Sequence, residues 1–98
     1  MIVIRDIFRL KFGKAKDAKA LIQESKKLMP AEMNARSRVL FDLVGPSYTM
    51  VWEMTYPNLA AWESEMASTM NEAEWREWYQ KFILIVESSH REIFTIVE

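Results

Sequence analysis

Asp6 stands where a carboxylate is least expected, and that makes it the first candidate for chemistry. Residues 2–12 alternate, with Ile2, Ile4, Asp6, Phe8, Leu10 and Phe12 on one side and Val3, Arg5, Ile7, Arg9 and Lys11 on the other, and only Asp6 breaks the apolar set. A carboxylate on an apolar face costs several kcal/mol unless it is paired, or else it tends to keep its proton. General bases in apolar pockets are built that way, so Asp6 is the candidate catalytic base. Two plainer arrangements would satisfy it equally: a bulge that turns the side chain outward, or a salt bridge to a nearby lysine.

A second group is soft and aromatic. Tyr48, Trp52, Tyr56, Trp62, Trp75, Trp78 and Tyr79, together with Met50, Met54, Met66 and Met70, could wall a cavity for a flat apolar molecule or simply fill a core. The candidate ligand-binding residues among them are Trp52, Tyr56, Trp62, Trp75 and Tyr79. Arg5, Arg9 and Lys11 could hold an anion, although Asp42 and Glu53 fall on the same face and offer internal pairing. His90 is the one histidine; it is expected to meet the negative end of the last helix and cannot make a metal site alone. Gly-rich phosphate loops, nucleophile motifs and metal clusters are absent, as is cysteine, so no cofactor is expected.

These residues need elements to position them. The alternation over 2–12 predicts a first strand, ended by Gly13. From Lys14 the positions Ala15, Ala18, Leu21, Ile22, Leu28 and Met29 recur at helical spacing, interrupted by Ser25 and stopped by Pro30, with a loop over 31–35. Residues 36–44 alternate again, and Gly45-Pro46 predicts a tight connection to a strand over 46–56. That strand divides into Tyr48, Met50, Trp52, Met54 and Tyr56 on one face and Thr49, Val51, Glu53 and Thr55 on the other. Asn58 is a suitable cap for a helix carrying Leu59, Trp62, Met66 and Met70. Asn71 with Glu74 resembles a capping box opening a third helix, whose inner face would be Trp75, Trp78, Tyr79, Phe82 and Val86. A last strand is expected over 92–97.

The 98 residues suit a single domain, 1–98, and 50% hydrophobic with 28% charged residues lies in the ordinary globular range. Thirteen basic and fourteen acidic residues leave a net charge of -1, which gives no field to attract nucleic acid. No apolar run reaches the ~18 residues of a membrane span, and the chain starts with a strand-like run in place of a signal peptide, so a cytoplasmic protein without membrane partners is expected.

The order β, α, β, β, split α, β is that of a ferredoxin-like α+β fold, a four-stranded antiparallel sheet with its helices on one face. The rings and thioethers would look toward the helices. The other face, with Val3, Ile7, Leu40, Val44 and Val51 among Arg5, Arg9, Arg38, Asp42 and Glu53, is too apolar to leave wet, and a second copy of the chain packed sheet to sheet would cover it, its arginines meeting Asp42 and Glu53 across the seam.

Three segments carry a resemblance. Phe8-Arg9-Leu10-Lys11-Phe12-Gly13-Lys14 is similar to the strand-to-helix entry of the dimeric α/β-barrel superfamily, with Phe12 where proline is commoner. Tyr56-Pro57-Asn58-Leu59-Ala60-Ala61-Trp62 resembles the junction after its third strand, and Glu74-Trp75-Arg76-Glu77-Trp78 resembles the acidic-Trp motif of the NIPSNAP-like branch; the antibiotic-biosynthesis monooxygenase branch shares the layout. The resemblance implies a homodimer with any pocket between the sheet and helices of each subunit. Asp6 lies seven residues before Gly13, where haem-degrading members carry a pocket-lining asparagine. Their tryptophan followed ten residues on by a haem-ligating histidine finds no counterpart, because Glu72 stands at that distance from Trp62. The expected function is therefore binding of a small apolar or aromatic ligand, with cofactor-free monooxygenase-like chemistry at Asp6. The alternative is a non-catalytic interaction module with a filled core.

Overall fold

The computed structural model describes residues 1–98. The elements are β1 (Ile2–Leu10), α1 (Ala15–Leu28), α2 (Ala31–Ala35), β2 (Ser37–Phe41), β3 (Thr49–Tyr56), α3 (Leu59–Met70), α4 (Ala73–Ile83) and β4 (Val86–Thr95). The strands form one antiparallel sheet in the order β2-β3-β1-β4. This is the ferredoxin-like α+β arrangement, with the second helical segment split at Asn71 and Glu72.

Residues directly opposite each other share a face, so the register sorts the side chains. On β1, Asp6 lies between Trp52 of β3 and Arg91 of β4, and Ile4 between Met54 and Ile93. The helices cover this face. Leu10, Met50, Ala18, Ile22, Met29, Met33, Trp75, Trp78, Phe82 and Ile85 make the buried cluster. Within it Trp78 stacks on Trp75 and Phe82 at 4.8 and 5.1 Å between ring centres, and Phe8 meets Phe82 edge-on at 4.9 Å. The Trp78 indole N–H donates to the Leu21 carbonyl of α1 at 2.7 Å, so the ring that fills the core also ties α4 to α1. Ser25, which interrupts the apolar stripe of α1, is fully buried and donates its hydroxyl to the Ile22 carbonyl at 2.7 Å.

The opposite face of the sheet runs in rows. Arg38, Glu53, Arg5 and Glu92 stand side by side across β2, β3, β1 and β4, with an Ile7 row holding Leu40, Val51 and His90 on one flank and a Val3 row with Phe94 on the other. Glu53 takes both arginines, at 3.2 Å from Arg5 and 2.7 Å from Arg38. Arg5, Arg38, Glu53 and Asp42 thus have partners inside one chain, Asp42 accepting the Thr49 amide at 2.9 Å.

Several boundaries differ from those expected. Strand β4 begins at Val86 rather than at 92, because residues 88–91 pair with β1 as an exposed edge and need no apolar alternation. Val86 is therefore a strand residue, and His90 sits in mid-strand opposite Ile7 rather than at the end of a helix. The capping box does not form: Asn71 still has helical geometry at the end of α3, and Glu72 precedes α4 without a side-chain cap. Residues 31–35 are a short helix, not a loop. Pro30 suits the position before its first turn, Met33 is buried, and Asn34 donates to the Lys26 and Met29 carbonyls that end α1.

The connection from β2 to β3 is a loop over 42–48 rather than a tight turn, with Leu43 and Val44 fully outside and Tyr48 at φ 63°. Phe12 leaves the sheet where β1 ends and lies exposed against the Tyr48 ring at 4.8 Å. Gly13 makes that exit possible at φ +81°, a conformation that costs a residue with a Cβ. The Asn58 cap is as expected, its side chain accepting the Ala61 amide at 2.9 Å.

Trp78→Ala should cost about 3–5 kcal/mol of unfolding free energy, as expected for a large buried ring, while Leu43→Ala should stay within about 0.5 kcal/mol. Urea denaturation of the two variants checks this. Equal midpoints would mean that Trp78 does not anchor the core.

Candidate functional site

Five elements frame one groove, with Met33 of α2 at its border. Helical spacing on α4 brings Trp75, Trp78, Tyr79 and Phe82 to one side of that helix, and the four-residue step on α3 does the same for Trp62, Met66 and Met70. Beneath them β1 supplies Asp6 and Phe8, β3 supplies Trp52 and Met54, and β4 supplies Arg91. The space left between sheet and helices is about 370 Å³, lined by rings and thioethers, with Asp6 and Arg91 as its charged groups.

Asp6 is ion-paired. Arg91 Nε donates to its Oδ1 at 2.5 Å, and the Arg91 guanidinium lies 4.9 Å from the centre of the Trp62 ring. Arginine held between a carboxylate and an aromatic face loses little further freedom when it binds something else. The partner is an arginine from an edge strand rather than the lysine considered from sequence, and the one irregularity in β1 pairing falls at Arg9 and Leu10, not at Asp6.

The five aromatic candidates do not all gather there. Trp52, Trp75 and Tyr79 line the groove, with Trp75 almost fully buried and Tyr79 40% exposed. Trp52 meets Trp75 and Trp78 edge-on at 6.3 and 5.9 Å. Trp62 stands outside the lining and touches the site through Arg91. Tyr56, fully buried, belongs to a separate hollow between α2 and α3, where Arg36 lies 5.2 Å over its ring and bonds Glu65 at 2.7 Å. A third concavity, about 530 Å³, lies between α1 and the β2 edge and presents Lys19, Lys26 and Arg38. No group of three histidine, aspartate or glutamate side chains converges where a metal ion could be held.

Arg91, Met29, Met33, Thr69 and Ser89 are among the groove residues that sequence reasoning missed. An earlier start for β4 would have put Arg91 opposite Asp6, and the carboxylate's need for a cation was the signal for it. Arg36 and Glu65 were missed because their partner, Tyr56, read as one more apolar ring.

Burial holds the Tyr56 hydroxyl well above the ordinary tyrosine range; the nearby Glu65 carboxylate adds to this, and Arg36 works against it. A folded-state pKa above the unfolded one gives stability that is complete below about pH 10 and is lost as pH rises further, because only the unfolded tyrosine ionises there. Tyr56→Phe should therefore flatten the fall in unfolding free energy above about pH 10, measured by urea titration at stepped pH. A parallel fall in both proteins would place the Tyr56 hydroxyl in contact with water.

Among solved structures, the chain is similar to a NIPSNAP family protein from Agrobacterium tumefaciens, with a TM-score of 0.89 and 18% identity over 99% of this chain and 93% of that one. An uncharacterised NIPSNAP-like domain protein from Burkholderia xenovorans gives 0.87 and 18% over 98% and 84%. An uncharacterised NIPSNAP domain protein from the same organism gives 0.83 and 12% over 99% and 95%. No protein-family model matches the chain, and no curated protein matches it. The chain has the fold of NIPSNAP family structures, and the likeness carries the fold alone.

Proposed function

We propose that the protein is a homodimeric small-molecule-binding protein whose ligand, a flat apolar or aromatic compound, sits in the groove between the sheet and α3 and α4. The observation that carries this is the groove itself: about 370 Å³ between elements that would otherwise close on each other, walled by rigid rings and adaptable methionines around a single ion pair. A filled interaction module would leave no such space. On this reading Asp6 is the base of a cofactor-free, monooxygenase-like reaction. It takes a proton from an acidic CH2 of the ligand, Arg91 turns from the carboxylate to the oxyanion that results, and dioxygen as co-substrate then converts the CH2 to a carbonyl with release of water.

The second copy would sit on the open sheet face. Val3, Ile7, Val51, Leu40 and Phe94 flank a row in which Glu53 already pairs Arg5 and Arg38, so a second copy can cover those three charges at less cost than if they were unpaired. No helix of the chain is long and apolar enough to cross a membrane.

A thermal-shift screen of flat aromatic compounds should find members that raise Tm, and a Met66→Trp variant that fills the groove should lose the response. A library that moves neither protein would remove the groove as a ligand site. With any turned-over compound, Asp6→Asn should lower kcat by about 100-fold or more, and an unchanged rate would end the role of Asp6 as base. For a chain of 11.6 kDa, sedimentation equilibrium at micromolar concentration should return twice that mass, and Val51→Lys should return the single mass. A monomeric parent protein would overturn the dimer.

A further inference from the structure

We propose that the polar end of the groove's ligand is a neutral carbonyl flanked by an N–H or O–H donor, and that the Asp6–Arg91 pair recognises it. This rests on the groove being a ligand site. The guanidinium has five N–H donors, and only the one on Nε is used within the protein; Asp6 uses only Oδ1. The pair therefore offers spare donors and a spare acceptor side by side, at the border of a surface that is otherwise mostly rings and thioethers.

Three kinds of ligand end can be weighed against that edge. A hydrocarbon end would cover the free N–H groups and the free Oδ2 and satisfy neither, which costs more than leaving them in water. A carboxylate would please Arg91 but bring a second negative charge beside Asp6, where like charges repel. An amide-like edge answers both at once, its oxygen accepting from Arg91 and its donor reaching Asp6.

The arrangement is also held ready. The Arg91 guanidinium is fixed on one side by its bond to Asp6 and on the other by the Trp62 ring at 4.9 Å. Trp62 is then a positioning residue for Arg91, which accounts for an aromatic side chain next to the groove but outside its lining.

The test compares three probes of one shape by isothermal titration calorimetry: naphthamide, naphthoate and ethylnaphthalene, each substituted at the same ring carbon. Naphthamide should bind at least about tenfold tighter than either of the others. Arg91→Gln should bring naphthamide affinity to within about threefold of ethylnaphthalene affinity, and Trp62→Leu should weaken naphthamide by about threefold more than it weakens ethylnaphthalene. If all three probes bind alike, or naphthoate binds tightest, or Arg91→Gln keeps the naphthamide preference, the inference is overturned and the groove stands as a ligand site. If none binds, the groove reading falls and the inference falls with it.

Discussion

Every feature of this protein depends on the double pairing of β1. Flanked by β3 and β4, this strand has no free edge, and its register decides which side chains of its neighbours share a face. A slip of one residue would send Trp52 to the open face and Glu53 beneath the helices. Two contacts oppose that slip from different sides. The Trp78 cluster holds Trp52 under α4, and the row of Arg38, Glu53 and Arg5 ties three strands together on the reverse. The fold is thus specified by hydrophobic packing on one face and by charge order on the other.

The helix layer shows how the same chain can pack well and still leave space. Helix α1 turns Ala18, Ile22 and the self-satisfied Ser25 inward and packs chiefly against α4. Helix α3 buries no residue fully, whereas α4 brings three large rings inward. The groove lies on the side where that mismatch occurs. Methionines from α2, β3 and α3 border it, and their flexible thioethers can follow the outline of a guest at low cost.

Much of this was legible in the residues. Period-two alternation in β1 and β3 and the punctuation at Gly13, Pro30 and Asn58 are local signals, and local geometry answers to them directly. The division of the central strand into an aromatic face and a slim face was equally plain. The start of β4 was not, because an edge strand draws its order from hydrogen bonds to β1 and can be built from Glu87, Ser88, Ser89 and His90 without any apolar rhythm. The same gap concealed the site. Asp6 announced that a cation was needed, but which cation depends on a pairing between residues at opposite ends of the chain. The hollow around Tyr56 was hidden for a related reason, since Arg36 and Glu65 stand 29 residues apart and meet only in the fold.

The four tryptophans have an optical consequence. Trp52, Trp75 and Trp78 lie within about 6 Å of one another, and Trp62 faces the Arg91 guanidinium, so each indole lines the groove or touches a residue that does. Three of the four indoles that dominate the protein's near-ultraviolet signal line its groove. The molecule carries its own gauge of whatever enters there, and no label has to be added to read it.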